Sequence, residues 1–295
     1  MDHTVFLASL SDEEKSRLTE KSDGPAIIHL FLHVALIIGC GGWIAAGGPG
    51  WQLLLPVQGV LITFLFTLEH EATHQTPFRT PWLNEGVGRV AGLLIFLPFQ
   101  WFRYFHLAHH RYTNDPERDP ELSNPKPETW AQFAKYISGI SYWRGVSSAI
   151  LRNAVGRSRE GFIPASAHGK LNREARWMMM VYALAALSLF FSEVLIWIWL
   201  VPLLLGQPFL RIYLLAEHGR CPPVANMFEN TRTTFTNRVV RFLAWNMPYH
   251  AEHHAYPQVP FHKLPALHAK SLPYLKETTG GYVQATKDHA KTLRG

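Results

Sequence analysis

Four apolar stretches separated by polar segments dominate the 295-residue chain. They cover residues 26–46, 51–68, 177–191 and 195–215. A helix of about 20 apolar residues crosses a hydrocarbon core of ~30 Å, because each residue adds about 1.5 Å. Short links at 47–50 and 192–194 join neighbouring stretches in pairs. The pattern predicts an all-α integral membrane protein with four transmembrane helices in two hairpins.

The 28 Lys and Arg residues avoid both of these links. All but Arg211, which lies in the fourth predicted span, fall in the N-terminal tail or in segments 69–176 and 216–295. Cytoplasmic loops of membrane proteins are enriched in Lys and Arg. We therefore expect one membrane domain over 1–295, with both termini and a helical cap made of the two segments on the cytoplasmic side. The net charge of +6 reflects this topology, and no nucleic-acid partner is expected.

Three further segments are predicted to lie at the membrane surface. Ser11 and Glu14 have the spacing of a capping box, which predicts a short polar helix ending near Lys21. Residues 87–101 are apolar but short, which favours a re-entrant or interfacial helix over a fifth span. Residues 130–159 interleave aromatic and basic side chains, as a helix at the lipid headgroups does.

Eight of the sixteen histidines fall in three clusters next to the apolar stretches. The clusters are His70/His74, His106/His109/His110 and His250/His253/His254. Side chains three or four residues apart share one helix face, whereas adjacent side chains diverge by roughly 100°. Imidazole binds iron, copper, nickel or zinc, and eight rings exceed the three or four protein ligands of a zinc ion. The clusters predict a site for two metal ions.

These clusters lie in three longer motifs, His70–His74 (HEATH), His106–His110 (HLAHH) and His250–His254 (HAEHH), flanked by RYTNDP after the second and NMPY before the third. The motifs, their order and the spans resemble the integral-membrane fatty acid desaturases and their hydroxylase and ketolase relatives, over residues 26–268. The resemblance implies a non-haem di-iron centre at the cytoplasmic face, with iron cycling between Fe2+ and Fe3+. It also implies His218 as a ninth ligand, and chemistry carried by the iron pair rather than by a catalytic side chain.

One position departs from the pattern of the animal acyl-CoA members. Those members have an asparagine one turn before the extra histidine, which supports the second iron through water. Leu214 stands at this position here. The groups that support the second iron are therefore expected to differ in this chain.

Removing hydrogen from an unactivated methylene group requires an oxidant made from dioxygen and two electrons, which iron can supply and redox-inert zinc cannot. We therefore expect a dioxygen-dependent desaturase acting on an acyl or other aliphatic chain at the membrane. Hydroxylase or ketolase chemistry on a lipid, or on a small amphipathic substrate derived from an amino acid or secondary metabolite, stays open. Electrons must come from a separate ferredoxin or cytochrome-type carrier, for which the basic residues Arg111, Arg118 and Lys263 are a candidate docking surface.

Polar residues near the clusters are candidates for orienting the rings or the substrate. The far nitrogen of a ligating histidine needs a hydrogen-bond partner, and residues close enough in sequence are Glu71, Glu252, Asp115, Asp119 and Asn246. Gln207, Arg211 and His218 are spaced for one face of the fourth span, where polar side chains usually face a cavity. We expect Gln207 and Arg211 to contact substrate, with Arg211 alternatively paired with Glu217 or another acid.

A distant alternative comes from the first motif alone. Residues 70–74 also match His-Glu-x-x-His, the helix motif of zinc metalloproteases in which Glu is the general base. A membrane protease of this kind needs one zinc ion and one further ligand. It leaves the other two clusters unexplained.

Overall fold

The protein is mostly helical. The computed structural model describes residues 1–295 and contains sixteen α-helices and one two-residue pair of parallel strands. The helices are α1 His3–Ser9, α2 Asp12–Thr19, α3 Asp23–Ala45, α4 Trp51–Thr63, α5 Leu65–Thr73, α6 Pro81–Ile95, α7 Phe99–Tyr112, α8 Trp130–Ile137, α9 Ile140–Ala154, α10 His168–Ser188, α11 Val201–His218, α12 Met227–Asn230, α13 Arg238–Leu243, α14 His250–Ala255, α15 Leu264–Ser271 and α16 Tyr282–Ala290. The strands are β1 Thr233–Thr234 and β2 Thr278–Thr279. Four short 3-10 or π turns cover Pro120–Ser123, Ala165–Ala167, Ile196–Leu200 and Leu272–Tyr274.

Three helical stretches are long and apolar enough to cross a membrane. They are Asp12–Ala45, whose apolar part is α3, Trp51–Thr73, which joins α4 and α5, and Ile196–His218, which ends with α11. They coincide with the first, second and fourth predicted spans. Large apolar side chains of α3 point outward, and Phe31 and Ile38 are 69% and 67% exposed. Such a surface is typical of a helix that faces lipid.

The third predicted span, 177–191, is not among these stretches. It lies in α10, which begins nine residues earlier at His168 and ends at Ser188. Every membrane-length stretch of this helix includes Arg173, Glu174 and Arg176, because the polar cap and the apolar segment form one continuous helix. The number of spans and their pairing in hairpins therefore remain predictions.

Helices α4 and α11 cross at closest range where two glycines meet. A Cβ atom on Gly59 would lie 2.2 Å from the carbonyl oxygen of Pro202, and one on Gly206 would lie 2.3 Å from the carbonyl oxygen of Gly59. Both distances are far below van der Waals contact, so no larger residue fits without separating the helices. The crossing sets the position of α5, which continues α4, relative to the end of α11.

The surface segments are helical, with breaks that sequence reasoning did not place. The capping box of Ser11 and Glu14 is present at the start of α2. Segment 87–101 covers the second half of α6, the bend at Phe96, which adopts a left-handed conformation (φ 63°), and the start of α7. Segment 130–159 contains α8 and α9, separated by Gly139 (φ 73°). A positive φ angle is favourable for glycine and unfavourable for a bulky residue. Phe96 therefore keeps this conformation only because its packed neighbours stabilise it.

Candidate metal centre

Nine histidine rings from four separate elements converge in the protein interior. The five-ring group consists of His70, His74, His106, His110 and His253. The four-ring group consists of His109, His218, His250 and His254. Helix α5 contributes only to the five-ring group and α11 only to the four-ring group, whereas α7 and α14 contribute to both.

The rings of the five-ring group lie within direct reach of one another. The Nε2 atoms of His74 and His106 are 2.8 Å apart, and the ring centroids of His70 and His106 are 4.1 Å apart. Ligand atoms of four rings all lie within 4.8 Å of one another: His70, His106, His110 and His253. This spacing is suited to a single metal ion.

The four-ring group is equally tight. The Nε2 atom of His218 lies 3.2 Å from that of His109 and 3.1 Å from that of His250. Ligand atoms of His109, His218 and His254 lie within 4.8 Å of one another. The sequence neighbours His109 and His110 fall in different groups, as do His253 and His254, which is the divergence expected for adjacent helical residues.

Several ring nitrogens are buried and have no hydrogen-bond partner in the protein. They include both ring nitrogens of His70 and His110, and Nε2 of His253 and His254. Burial and neighbouring rings hold the pKa values of His106, His110, His253 and His254 well below the usual range. These four rings therefore favour the neutral form, which is the form that binds metal ions. His109 differs, because Glu121 and Asp119 raise its pKa despite its burial. Orphaned neutral nitrogens in a cluster match the donor set of a metal centre.

Two of the five predicted supporting residues contact a histidine of the groups. Asp119 lies 2.9 Å from Nδ1 of His109 and also accepts the backbone N–H of Asn114. Glu71 Oε1 lies 3.3 Å from Nδ1 of His253, while Glu71 Oε2 accepts the backbone N–H of Phe261. Each carboxylate leaves Nε2 of its ring directed toward the neighbouring rings.

The side chains of Glu252, Asp115 and Asn246 contact no ring of either group and have other partners. Glu252 is buried, but its carboxylate holds His268 and the hydroxyl of Thr233 rather than a ring of either group. Asp115 pairs with exposed Arg118, and Asn246 donates to the carbonyl oxygen of Phe261. In each case proximity in sequence did not lead to contact with a ring, because the side chain pairs with another group.

Other contacts to the rings come from residues that sequence reasoning did not select for this role. Glu217 Oε1 lies 3.4 Å from Nδ1 of His250, and Nδ1 of His218 lies 3.3 Å from the carbonyl oxygen of Asn230. Glu121 Oε2 lies 3.3 Å from Nε2 of His109. Glu217 could have been selected because it is adjacent to His218 in the sequence. Glu121 could have been selected because it lies two residues after Asp119.

The polar residues of α11 do not pair with an acid. The guanidinium carbon of Arg211 lies 4.7 Å above the ring of Tyr142, and no carboxylate oxygen lies within salt-bridge distance of it. Gln207 is completely buried, and neither its amide nitrogen nor its oxygen has a partner. Arg211 therefore does not pair with Glu217 in this structure, and Gln207 is a buried polar group still in need of a ligand or water.

The candidate docking surface carries less free charge than predicted. Arg118 pairs with Asp115 at 2.6 Å and Lys263 with Glu20 at 3.4 Å, whereas Arg111 has no acidic partner within salt-bridge distance. Two of the three cations are thus neutralised locally. Their capacity to attract an acidic carrier is correspondingly smaller.

The metalloprotease alternative gains no support from the geometry. The carboxylate of Glu71 is occupied by Phe261 N–H and the hydroxyl of Thr76, and it faces His253 rather than an open cleft. A single zinc ion leaves most of the nine rings without a role.

The sequence of the chain is similar to those of known proteins. The family model described as fatty acid desaturase matches residues 49–286. The sn-1 oleoyl-lipid 12-desaturase of Picosynechococcus sp. is 25% identical, with the match covering 88% of this chain and 78% of that one. The protein of the same name from Arthrospira platensis is 26% identical over 76% of this chain and 69% of its own. The sn-1 acyl-lipid omega-3 desaturase (ferredoxin) of Synechocystis sp. is 25% identical over 54% of this chain and 45% of its own.

Proposed function

Because the chain belongs to the fatty acid desaturase family, we propose that it uses two iron ions and dioxygen to introduce a double bond into an acyl chain of a membrane lipid. It is an oxidoreductase of the membrane-bound desaturase type. The observation that carries the proposal is the convergence of nine histidine rings in two adjacent groups. Relatives that act on lipid-linked acyl chains support a lipid substrate.

The donor set fits a pair of iron ions. The five-ring group would hold one iron and the four-ring group the other, since both offer buried imidazoles with unpartnered nitrogens. Imidazole is a preferred ligand of iron as well as of other transition metals, and only a redox-active metal suits oxidation of a methylene group. When bound, the irons supply the redox chemistry that activates dioxygen and removes hydrogen from the substrate.

The residues of the chain hold the rings in place and keep water out. Asp119 fixes the tautomer and direction of His109 through a hydrogen bond, whereas Glu71 Oε1 lies 3.3 Å from Nδ1 of His253 without a hydrogen bond. Phe102 stacks on His106 with ring centroids 5.4 Å apart, and it closes the apolar side of the five-ring group. A dry, preorganised set of rings limits unproductive loss of the oxidant to water.

The proposed topology keeps four spans, a cytoplasmic cap formed by 69–176 and 216–295, and one domain over the whole chain. The outer side of α10 supports a fourth crossing, because Leu184 is 59% exposed and Phe190 beyond the helix end is 85% exposed. Exposed apolar surface of this kind is costly in water and suited to lipid. The concentration of Lys and Arg in the cap and N-terminal tail supports the cytoplasmic side for the termini and the metal centre.

The substrate headgroup or polar function is proposed to reach Gln207 and Arg211. The amide of Gln207 is buried without a partner, and the Nε atom of Arg211 is also buried and unpartnered. Such groups cost free energy unless a ligand or water satisfies them. This observation favours, as a second candidate, a small amphipathic substrate whose polar end meets these two side chains.

Reducing equivalents are proposed to come from a ferredoxin or cytochrome-type carrier. The chain offers two cysteines, and neither has a disulfide partner or the spacing of an iron–sulfur site. The name of the Synechocystis relative includes ferredoxin, which supports an iron–sulfur carrier. Arg111 is the candidate contact that keeps its charge free.

Product analysis tests the proposed reaction. Membranes containing the protein, a reductant and carrier are given lipid-linked acyl chains and short amphipathic compounds, and products are measured by mass spectrometry. Desaturation gives a product lighter by two hydrogen atoms, and hydroxylation gives one heavier by one oxygen atom. Purified protein that is fully active without iron would overturn the proposal.

Two variants test the polar side chains of α11. Arg211→Met and Gln207→Leu keep side-chain volume while removing polarity, so we expect a higher KM for substrates with a polar end and little change in iron content. Gln284→Leu, on the exposed face of α16, is the control. Unchanged KM for every substrate in both variants would exclude the substrate role.

A further inference from the structure

We propose that Arg211, Gln207 and Trp143 bind the carboxylate of the substrate, so that the preferred substrate is an aliphatic chain that ends in a free acid. The inference rests on the proposed desaturase function, and it favours the small amphipathic substrate over the lipid-linked acyl chain. It starts from three side chains at the contact between α11 and the start of α9. Each has a buried nitrogen atom without a hydrogen-bond partner in the protein.

Gly139 places Trp143 beside Gln207. A Cβ atom on Gly139 would lie 3.1 Å from Cβ of Gln207 and 3.4 Å from Nε1 of Trp143. Gly139 therefore lies against both side chains, and its positive φ angle (73°) turns the chain from α8 into α9 at this point. The amide of Gln207 is completely buried, and neither its oxygen nor its nitrogen has a partner. The amide and the indole N–H thus lie close enough to contact one ligand.

Arg211 adds a positive charge one turn further along α11. Residues four apart share a helix face, so Arg211 lies on the same side of α11 as Gln207. Its guanidinium carbon is 4.7 Å from the centre of the Tyr142 ring, and its Nε atom is buried without a partner. The next acid along the helix, Glu217, contacts Nδ1 of His250 at 3.4 Å instead of Arg211. The charge of Arg211 therefore has no counter-ion within the protein.

The chemistry of these groups defines the ligand. Guanidinium and indole N–H groups only donate hydrogen bonds, and a guanidinium stays charged in proteins. A buried charge without a partner costs free energy, and a water molecule supplies no opposite charge. A carboxylate provides both the negative charge and the acceptor oxygens, and it forms two parallel hydrogen bonds with a guanidinium. An amine would repel Arg211, and an alcohol would leave its charge unpaired.

The depth of Arg211 favours a small molecule as the source of the carboxylate. Arg211 lies seven residues before His218, which corresponds to about 10 Å along the helix axis. In the proposed topology α11 ends at the cytoplasmic side, so Arg211 lies inside the membrane, where charged side chains usually mark the path of a substrate or ion. Lipid headgroups stay at the membrane surface. A free acid can bring its charged end to Arg211 and extend its methylene groups toward the histidine rings.

The test measures binding to the iron-loaded, full-length protein in phosphatidylcholine nanodiscs, kept anaerobic so that no turnover occurs. The probes are tritiated octanoate, dodecanoate and hexadecanoate and the matching primary amides, and uptake by empty nanodiscs is subtracted. We expect the best acid to bind at least about tenfold more tightly than its amide, because only the acid pairs with the charge of Arg211. This comparison uses wild type alone and does not depend on the folding of any variant.

Variants then assign the preference to the named side chains. Arg211→Met should weaken binding of the acid by at least about tenfold and abolish the preference over the amide, whereas Arg211→Lys should keep part of it. Trp143→Phe should weaken binding by about three- to tenfold. Trp130→Phe, at a tryptophan of α8 that is 52% exposed, is the matched control and should change it by less than about twofold.

Equal binding of acid and amide at every chain length would overturn the inference. Displacement of the acid by phosphatidylglycerol in the nanodisc would also overturn it, because Arg211 would then pair with a lipid headgroup. The iron content of each sample is measured in parallel. Iron-free wild type that is fully active would instead overturn the proposed function itself.

Discussion

The two histidine groups use the same type of donor but differ in the charges around them. The five-ring group has one carboxylate near a ring, Glu71, which also serves the backbone of Phe261. The four-ring group has three, because Asp119, Glu217 and Glu121 all lie within 3.4 Å of its rings. Carboxylates raise the basicity of the rings that they contact. The comparison teaches that two similar sets of histidine rings can differ in basicity, and so in how strongly each would donate to a metal ion.

The groups also depend on different helices. Helix α5 supplies His70 and His74 to the five-ring group, and α11 supplies His218 to the four-ring group. A substitution in α5 or α11 therefore alters one ring group, whereas a substitution in α7 or α14 can alter both.

The largest effect is expected from removing one ligand on either side. His70→Ala should remove the iron of the five-ring group, and His218→Ala that of the four-ring group, each leaving about one iron per chain. Loss of a residue that only orients a ligand lowers activity by up to about 100-fold, so loss of a ligand itself should lower product formation by more than about 100-fold. Iron analysis, Mössbauer spectra and product assays measure these effects. Retention of two irons by either variant contradicts the assigned grouping.

A smaller effect is expected at the carboxylate behind His109. Asp119→Asn should weaken iron binding at the four-ring group by about 10- to 100-fold, since the amide holds the ring less firmly and in a less basic state. Asp115→Asn, which loses an exposed pair with Arg118, should change it by less than about threefold. Anaerobic iron titration of both variants compares them directly. Equal affinities would show that Asp119 has no special role.

The corresponding change at the five-ring group is expected to be weaker. In Glu71→Gln, the carboxylate 3.3 Å from Nδ1 of His253 becomes an amide that still contacts the backbone of Phe261. Iron binding at the five-ring group should fall by about tenfold, the lower end of the usual range. The same titration measures it. A loss larger than in Asp119→Asn would reverse the comparison between the groups.

The smallest effect is expected at Cys221, three residues after His218. Burial raises the pKa of this thiol to about 11, so it stays protonated at neutral pH and is a poor metal ligand. Cys221→Ser should leave iron content unchanged within about twofold. The iron-loaded wild type should show no thiolate-to-iron charge-transfer absorption. Such a band, lost in the variant, would add a sulfur ligand to the four-ring group.

The apolar pattern and the histidine spacing predicted the features that depend on periodicity. Continuous apolar runs placed α3, the α4–α5 helix and α11, and the divergence of adjacent residues anticipated the separation of His109 from His110. The third span could not be delimited, because the charged start of α10 runs into its apolar part within one helix. A local apolar pattern does not reveal where a helix enters the membrane.

Contacts between distant segments escaped prediction. Glu252 was expected to support a ring, yet its partner is His268, which only the packing of α15 against α14 brings near. Glu121 reaches His109 because a turn capped by Asp119 folds back on α7, and a turn of this kind has no periodic signal. Proximity in sequence identifies such residues only when they share a helix with the ligand.

The contact between Gly59 of α4 and Gly206 of α11 is the point about which the two helices diverge toward the histidine rings. From Gly59 to His70 and from Gly206 to His218, the two arms are about 17 and 18 Å long at 1.5 Å per residue. An alanine at either glycine would push the two helices apart and shift the histidine nitrogens near their ends. A metal site tolerates changes of only about 0.2 Å in its metal–ligand distances. Backbone contact between two glycines, far along each helix from the nearest histidine, thus sets the spacing between the two ring groups.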